Sequence, residues 1–532
     1  MGMTRRRFVG SAAAVGAGVL ASRSLGFGRG SFQGNSDSSA AGPKPNIVLI
    51  FPDEWRWDAV GTLGLLPVQT PNLDTIARNG VIFSNCYTCG PLCMPARASL
   101  MTGRYVHEHG QWNNSLPARD PGSPSHVRRM RDEAGYSTAL IGKAHLHAAA
   151  MSTAKGEPIL DQWGFAYTDE IPGAQELYQD DTNSWSTGLG AAKYARFGNY
   201  MTHFEATNNS VNPWGTDPLD IDPWDLSSAD HYDTYVGDAA AQWIRDYSGS
   251  QPFYLQANFP GPHYPMDSTT DFRGQFKLAE MGLGIYTKPG APSPLVENSV
   301  QNLCTIQDMT EQQMRQVRRI YFANQLMIDV GIGKILQALA DRGFDDNTWV
   351  FFCSDHGEML GDHYLMYKIV FYESAAKVPL VIRPPKQAVP AGWVATGLTD
   401  HLDLTTSILH LAGLSPMFAG RGTSLLAKVT AGPDAAHAQT GKEQAVSEVG
   451  VPDGLSNQLM LRTATHKMNV QLSVPLDPVE LYDLVEDPTE LTNRIEDPSY
   501  GDVRAEMFDR VNSFLADTGY WRTRVRRRLL SR

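Results

Sequence analysis

Four short apolar segments of the chain each lead directly into side chains that can bind metal or transfer protons. The segments cover residues 46–51, 137–141, 253–259 and 348–353. The polar residues that follow them are, in chain order, Asp53 and Glu54, Lys143 and His145, His263, and Asp355 and His356. Carboxylates and imidazoles bind divalent cations, and histidine and lysine are common general acids and bases. One such segment is weak evidence, because Asp and Gly commonly end strands, but four together indicate one polar site.

The same segments predict the fold that would bring these side chains together. Near-continuous apolar runs suit strands that are buried on both faces, and a helical pattern such as residues 326–339 lies between them. The predicted fold class is therefore α/β, with a mainly parallel sheet flanked by helices. Ligands of open α/β sheets bind outside the carboxyl ends of the strands, so the four segment ends should converge there. After residue 443 there is room for an antiparallel sheet and a final helix near 504–515, which predicts a smaller C-terminal α+β subdomain.

A cysteine-rich stretch adds a candidate nucleophile. Cys86 and Cys89 have the spacing of a zinc or redox pair, but no second Cys/His pair follows at a matching distance. Cys93 precedes an amphipathic turn or two that ends at Gly103, so we expect it just before a helix N-terminus. Free N–H groups and the helix dipole favour an anion at that point, and Arg97 lies one turn further on.

The residues around Cys93 resemble the signature of the formylglycine-dependent sulfatases, a family of the alkaline phosphatase superfamily. The signature is Cys93-x-Pro95-x-Arg97 followed by Thr102-Gly103-Arg104. The resemblance extends over most of the chain, in the segments Asp53-Glu54, Gly142-Lys143-Ala144-His145, Pro262-His263, Ser354-Asp355-His356-Gly357-Glu358, Gly361-Asp362-His363, Lys368, Glu480-Leu481-Tyr482-Asp483-Leu484, Asp487-Pro488 and Glu490.

This resemblance implies a sulfuric ester hydrolase with an alkaline-phosphatase-like fold. In that family a formylglycine-generating enzyme oxidises the cysteine, here Cys93, to formylglycine, whose hydrated aldehyde is the nucleophile. The metal ligands it implies are Asp53, Glu54, Asp355 and His356. Carboxylates favour Ca²⁺ or Mg²⁺ and the histidine leaves Mn²⁺ open; the resemblance favours Ca²⁺.

The resemblance also implies roles for the remaining site residues. Arg97, Lys143 and Lys368 would stabilise negative charge on the sulfuryl oxygens. His263 would protonate the leaving oxygen, a role that Lys368 could share. His145 would orient the nucleophile or assist breakdown of the intermediate.

The sequence departs from the family pattern at three positions and leaves rival functions open. Ala96 stands where serine is commoner, Glu54 replaces the usual Asp or Gln, and Ala144 replaces a common Trp, which is expected to open space beside Lys143 and His145. The substrate would be a small-molecule or glycan sulfate ester. The alternatives are a phosphonate monoester or phosphodiester hydrolase with the same machinery, and a non-catalytic glycan-binding protein on the same fold.

Composition and the N-terminal residues suggest where the protein works. The 532 residues carry a net charge of −12, which argues against a nucleic-acid partner. Residues 1–30 contain three consecutive arginines and an apolar run shorter than the about 20 residues that span a bilayer. They resemble a twin-arginine export signal, which implies the twin-arginine export machinery and a periplasmic or extracellular location. We expect a linker at 31–45, a catalytic domain at 46–425 and the C-terminal subdomain at 426–532.

Overall fold

A computed structural model describes residues 43–114, 120–147, 153–171, 227–264, 268–287, 296, 309–385, 392–433, 441–450 and 457–521. The expected export signal at 1–30 and almost all of the linker at 31–45 lie outside these residues, so both stay predictions. In the described ranges, none of the helices combines the length and hydropathy that crossing a membrane requires.

Within the described residues, nine strands form the large sheet. They are β1 (Asn46–Ile50), β2 (Val81–Tyr87), β3 (Ser137–Gly142), β4 (Tyr167–Glu170), β5 (Phe253–Asn258), β6 (Thr348–Cys353), β7 (Lys377–Arg383), β8 (Trp393–Ala395) and β9 (Thr399–Asp400). Their order is β4-β3-β5-β1-β6-β7-β2-β8, and β9 also pairs with β2. Strand β7 runs antiparallel to β6 and β2, and the other pairings are parallel. The prediction of a mainly parallel α/β sheet is confirmed.

Helices cover both faces of this sheet. In chain order, the α-helices of the described residues are α1 (Pro71–Arg78), α2 (Cys93–Thr102), α3 (Val106–His109), α4 (His126–Asp132), α5 (Thr153–Trp163), α6 (Tyr232–Asp246), α7 (Thr270–Arg273), α8 (Glu311–Asp341), α9 (Glu373–Ala376), α10 (His401–Leu411), α11 (Leu426–Ala431) and α12 (Gly501–Asp517), of which α12 packs on the second sheet described below. Alternate residues of β1 enter two separate cores: Val48 and Ile50 pack on one face, Ile47 and Leu49 on the other. The continuous apolar run of this strand follows from burial on both faces.

Helix α8 begins well before the predicted segment 326–339. Its N-terminus is a capping box in which Gln313 N–H donates to the Thr310 hydroxyl and the Gln313 side chain accepts from Thr310 N–H. Arg318 is buried in this first half and donates to the Leu360 carbonyl. The helical spacing of buried apolar residues continues through these turns, at Met314, Val317 and Ile320, so the predicted segment was too short.

The C-terminal residues form a second, antiparallel sheet, as predicted. Its strands, in spatial order, are β10 (Ala445–Val449), β11 (Gln458–Arg462), β12 (His466–Gln471) and β13 (Asp477–Asp483). Val511 and Leu515 of α12 share a core with Leu459 and Met468 of this sheet. Val429 of α11 instead packs in the core of the large sheet, and the predicted boundary at 425/426 stays a prediction.

The four predicted segments are adjacent strands in the order β3-β5-β1-β6, all running the same way. Ile50 of β1 pairs with Ala257 of β5 and Phe352 of β6, and Ala257 pairs in turn with Ile141 of β3. Their carboxyl ends therefore meet at one edge of the sheet.

Gly142 controls how β3 delivers Lys143 to this edge. Its φ is 99°, and a Cβ atom there would lie 1.9 Å from the Asn258 carbonyl oxygen. Gly135 is a matched control, because its φ is 74° and a Cβ atom would meet nothing within 4 Å. We expect Gly135→Ala to cost about 1–3 kcal/mol of unfolding free energy for its backbone conformation. Gly142→Ala should cost more, because it adds a collision with β5; equal losses in denaturant unfolding would contradict this account.

Candidate active site

The carboxyl ends of β1 and β6 and the start of α2 bring four potential metal ligands together. Asp53 follows β1, Asp355 and His356 follow β6, and Cys93 is the first residue of α2. One ligand atom from each residue lies within 4.8 Å of those of the other three, and all four side chains are buried. Cys93 Sγ is 3.2 Å from His356 Nε2 and 3.7 Å from Asp53 Oδ1.

Helix α2 differs from the prediction in two respects. Cys93 lies inside the first turn rather than just before it, with Leu92 as the N-cap residue. All 10 residues of the helix are buried, so it is not amphipathic, because α3, α4 and α10 pack around it. The predicted end is correct: Gly103 has a φ of 64° and donates its N–H to the Ser99 carbonyl. Position 93 remains at a helix N-terminus, where the dipole favours negative charge.

Arg97 joins this helix to both metal-ligand strands. Its Nε–H donates to Asp355 Oδ2 at 2.9 Å and its Nη2–H to Asp53 Oδ2 at 3.2 Å. Its Nη1–H donates to the Lys143 carbonyl at 2.9 Å. Burial would lower the pKa of Arg97, but Asp355 and Asp53 outweigh it and raise that pKa. Arg97 therefore holds one fixed charge between two carboxylates and also secures the end of β3.

Asp53 is kept ionised by its basic neighbours. Lys143 Nζ lies 2.7 Å from Asp53 Oδ2. Burial and the Cys93 thiol would raise the pKa of Asp53, but Lys143, His263 and Arg97 together hold it below its ordinary value. An ionised carboxylate with one oxygen toward Cys93 is suited to binding a cation.

Glu54 lies apart from the four-residue cluster. Its Oε2 accepts a hydrogen bond from Lys368 Nζ at 2.8 Å and lies 3.5 Å from His263 Nε2. With Asp53 and His263 it forms a second group of potential ligands within 4.8 Å of one another. Burial raises the pKa of Glu54, Lys368 opposes that shift, and the nearby Glu358 and Asp53 add to it. Glu54 thus connects the metal-ligand cluster to the two basic residues on its other side.

The electrostatic environment favours an anion at position 93. Burial would raise the pKa of the Cys93 thiol, but Lys368, Lys143 and His356 outweigh burial and hold it well below its usual range. A hydrogen bond with His145 lowers this pKa further. Both lysines are buried, so solvent screens their charges weakly.

His145 reaches the site from a strained backbone position. Its φ is 49°, which is unusual for a residue with a side chain, and its Nδ1 atom is buried. The expectation that Ala144 opens space beside it is wrong, because Ala144 packs into the core with Phe51 and Leu146. Lys143 and His145 thus face the site while the residue between them faces the core.

Two positioning residues were missed by the sequence analysis. Asn258, the last residue of β5, accepts from Lys143 N–H at 2.9 Å and donates its Nδ2–H to the Lys143 carbonyl at 2.7 Å. The Ser354 hydroxyl accepts from Trp55 N–H at 2.9 Å and contacts the His356 carbonyl at 2.9 Å. Both residues stand at the polar ends of predicted strands, and this position is the sequence feature that could have identified them.

His107 and His109 lie outside the cluster. They belong to the short helix α3. His107 Nδ1 is 2.8 Å from Glu448 Oε1 of β10, and both side chains are buried. His109 Nε2 is 2.9 Å from the Ser99 hydroxyl of α2. These contacts tie α3 to the C-terminal sheet and to α2.

The donor set fits a divalent cation. Asp53, Asp355 and His356 offer two carboxylates and an imidazole from a buried cluster, and the Oε1 atom of Glu54 is buried without a hydrogen bond in the described ranges. Such oxygen-rich sets suit Ca²⁺, Mg²⁺ or Mn²⁺.

A comparison with protein families assigns the chain to a family. The sulfatase family profile matches residues 45–414, and the profile of the N-sulphoglucosamine sulphohydrolase C-terminal region matches residues 361–517. The chain belongs to the sulfatase family. It is a sulfuric ester hydrolase of the alkaline phosphatase superfamily, as the sequence predicted.

Individual relatives agree with this assignment. The sulfatase is 28% identical to an arylsulfatase of Clostridium perfringens over 400 residues, which cover 72% of this chain and 78% of the relative. It shares its fold with the phosphonate monoester hydrolase of Agrobacterium radiobacter, with a TM-score of 0.74 and 23% identity. The match covers 89% of this chain and 96% of the hydrolase. A solved structure in complex with its substrate, D-glucosamine-2-N,6-O-disulfate, gives a TM-score of 0.68 with 20% identity, covering 90% of this chain and 98% of that one.

The bridging role of Arg97 can be tested by stability. Arg97→Met keeps an unbranched side chain but removes the guanidinium and leaves Asp53 and Asp355 buried without their shared partner, which should cost about 3–5 kcal/mol in metal-free protein. Arg131→Met is the control, because Arg131 pairs with Asp132 and Asp161 on the surface and its loss should cost about 0–1 kcal/mol. Denaturant unfolding in the presence of a chelator measures both; similar losses would show that Arg97 is not the bridge.

Proposed function

We propose that this sulfatase hydrolyses sulfate monoesters through a formylglycine nucleophile made from Cys93, with a divalent cation, Ca²⁺ in the first instance, bound beside it. The observation that carries the proposal is the position of Cys93. It begins a buried helix, lies beside Asp53 and His356, and is surrounded by lysines that favour an anion there.

Conversion of Cys93 is an oxidation that replaces the thiol by an aldehyde oxygen, and a formylglycine-generating enzyme with an external oxidant would carry it out. The hydrated aldehyde supplies two hydroxyls: one attacks sulfur as the ester S–O bond breaks, and the other later loses its proton to re-form the aldehyde and release sulfate. An ordinary cysteine or serine has no second hydroxyl that could release sulfate from the covalent intermediate in this way.

Asp53, Asp355 and His356 would hold the cation, with Glu54 as a further oxygen ligand. The cation would supply positive charge to a sulfate oxygen and to the nucleophile. The charge balance of the protein supports this role. Asp53, Glu54 and Asp355 are matched by Arg97, Lys143 and Lys368, so a bound dication gives the site a net positive charge for an anionic ester.

The basic residues are already fixed before substrate arrives. Arg97 and Lys143 are held on Asp53, and Lys368 on Glu54, so their charges need no rearrangement during the reaction. Preorganised charge of this kind is usually the largest contribution to catalysis.

His263 is our candidate for the residue that protonates the leaving group. Its side chain is 11% exposed, more than that of any partner in its cluster, and its Nε2 lies 3.5 Å from Glu54 Oε2. A partly exposed imidazole beside a carboxylate is suited to giving a proton to the departing alkoxide. His145, which helps to lower the pKa of Cys93, would orient the nucleophile or assist intermediate breakdown.

The substrate class we propose is a small-molecule or glycan sulfate ester. The named relatives support it, because one is an arylsulfatase and another structure holds a disulfated glucosamine. The phosphonate monoester hydrolase of the same fold supports the rival, since sulfur and phosphorus centres require similar charge stabilisation.

Paired substrates separate these functions. The matured enzyme should show a higher kcat/KM for an aryl sulfate than for an aryl phosphonate monoester that has the same phenol leaving group. Cys93→Ala is the control, because it should lose both activities. A higher kcat/KM for the phosphonate would overturn the proposed specificity.

Mass spectrometry tests the nucleophile. The tryptic peptide 79–97 contains Cys86, Cys89 and Cys93, so two buried thiols serve as internal controls. In protein produced with a formylglycine-generating enzyme, only position 93 should carry the aldehyde or its hydrate, and turnover should rise with that fraction. An unmodified thiol at Cys93 in active protein would refute the mechanism, whereas turnover would exclude a merely glycan-binding protein.

A further inference from the structure

A second buried His–Glu pair lies beside the active site, outside the cluster of candidate metal ligands. His147 Nε2 is 2.8 Å from both carboxylate oxygens of Glu170, and the two side chains are 7% and 3% exposed. Glu170 is the last residue of the edge strand β4, and it pairs in register with Gly142 at the end of β3. A carboxylate that receives a bifurcated N–H bond at this distance makes a strong, orienting contact.

The pair closes a five-residue loop that carries two of the proposed catalytic residues. Residues 143–147 leave the end of β3 and return to the end of β4 through His147. The first residue of the loop is fixed by Asn258 and Arg97, which bond to the backbone of Lys143. The last residue is fixed by Glu170.

The middle of this loop needs support from both ends. His145 stands at φ 49°, a conformation that costs free energy for a residue with a side chain and persists only where the surroundings enforce it. Leu146 is buried in the core behind it. The backbone on one side of His145 is held by the Lys143 contacts, and on the other side by the His147–Glu170 pair.

We propose that His147 and Glu170 are positioning residues that hold His145, and with it the nucleophile at position 93, in reactive alignment. This inference rests on the proposed function, because the step that the two residues affect is the hydrolysis reaction. The conformation of residues 143–147 is a property of the chain itself and does not depend on that function. Neither residue needs to touch the substrate. Their effect passes through the backbone of residues 143–147.

Glu170→Ala should therefore slow turnover more than it weakens binding. Because small misplacements of a catalytic group cost much in rate, we expect kcat to fall about tenfold or more with little change in KM, after correction for the formylglycine fraction. Glu170→Gln keeps an acceptor for His147 Nε2–H and should recover most of that rate.

The His107–Glu448 pair supplies the matched control. It is also buried, with a 2.8 Å contact, but it joins α3 to β10 and contacts neither Lys143 nor His145. Glu448→Ala should lower the melting temperature and leave kcat unchanged. The proposal would be overturned if Glu170→Ala kept the wild-type kcat, or if Glu170→Gln lost as much kcat as Glu170→Ala. It would also be overturned if Glu448→Ala lost as much kcat as Glu170→Ala.

A measurement without substrate separates this inference from the proposed function. Hydrogen exchange at the amides of residues 143–147 should accelerate in Glu170→Ala, or in His147→Gln if the first variant does not fold, and not in Glu448→Ala. Unchanged exchange would overturn the positioning role. If wild-type enzyme hydrolyses the phosphonate and not the sulfate, the proposed function fails, and the same variants are then compared by kcat on the phosphonate.

Discussion

The active site depends on the three hydrogen bonds that Arg97 donates. They join the helix that begins with Cys93 to the carboxylates after β1 and β6 and to the backbone after β3. Four segments that are far apart in sequence are thereby fixed to one planar group, which presents several donors in a rigid fork. Burial makes the arrangement obligatory, since a charge at this depth must be paired. The distance from position 93 to the potential metal ligands is set by the same contacts.

Charge pairing also explains how an acidic protein can take an anionic substrate. The chain carries a net charge of −12, but within the site each of the three carboxylates lies against a lysine or arginine. The lowered pKa of Cys93 and the lowered pKa of Asp53 have the same origin, because both groups are stabilised as anions by Lys143. Local arrangement, and not overall composition, therefore determines which ligand the site accepts.

Features that depend on local sequence were predictable, and those that depend on distant partners were not. The four strands and their polar ends were found because burial on both faces leaves a continuous apolar run, as in β1 and β6. The burial of α2 was missed, because it results from packing by helices remote in sequence. The direction of Glu54 toward Lys368, and of Ala144 toward the core, likewise depends on backbone angles that a motif does not encode.

Backbone strain is concentrated in the segments that carry candidate site residues. Among the described residues, seven of the eight left-handed φ values at residues with side chains occur at Glu54, at His145, and at Leu360, His363, Tyr364, Tyr367 and Ile369 on both sides of Lys368; the eighth is at Glu490. Each segment is flanked by a buried strand: β1 before Glu54, β3 before His145, and β6 and β7 on either side of residues 360–369. Strained conformations persist only when neighbouring structure over-determines them. A rigid central sheet is thus the condition that allows loops at its edge to hold Glu54, His145 and Lys368 in positions that relaxed loops would not adopt.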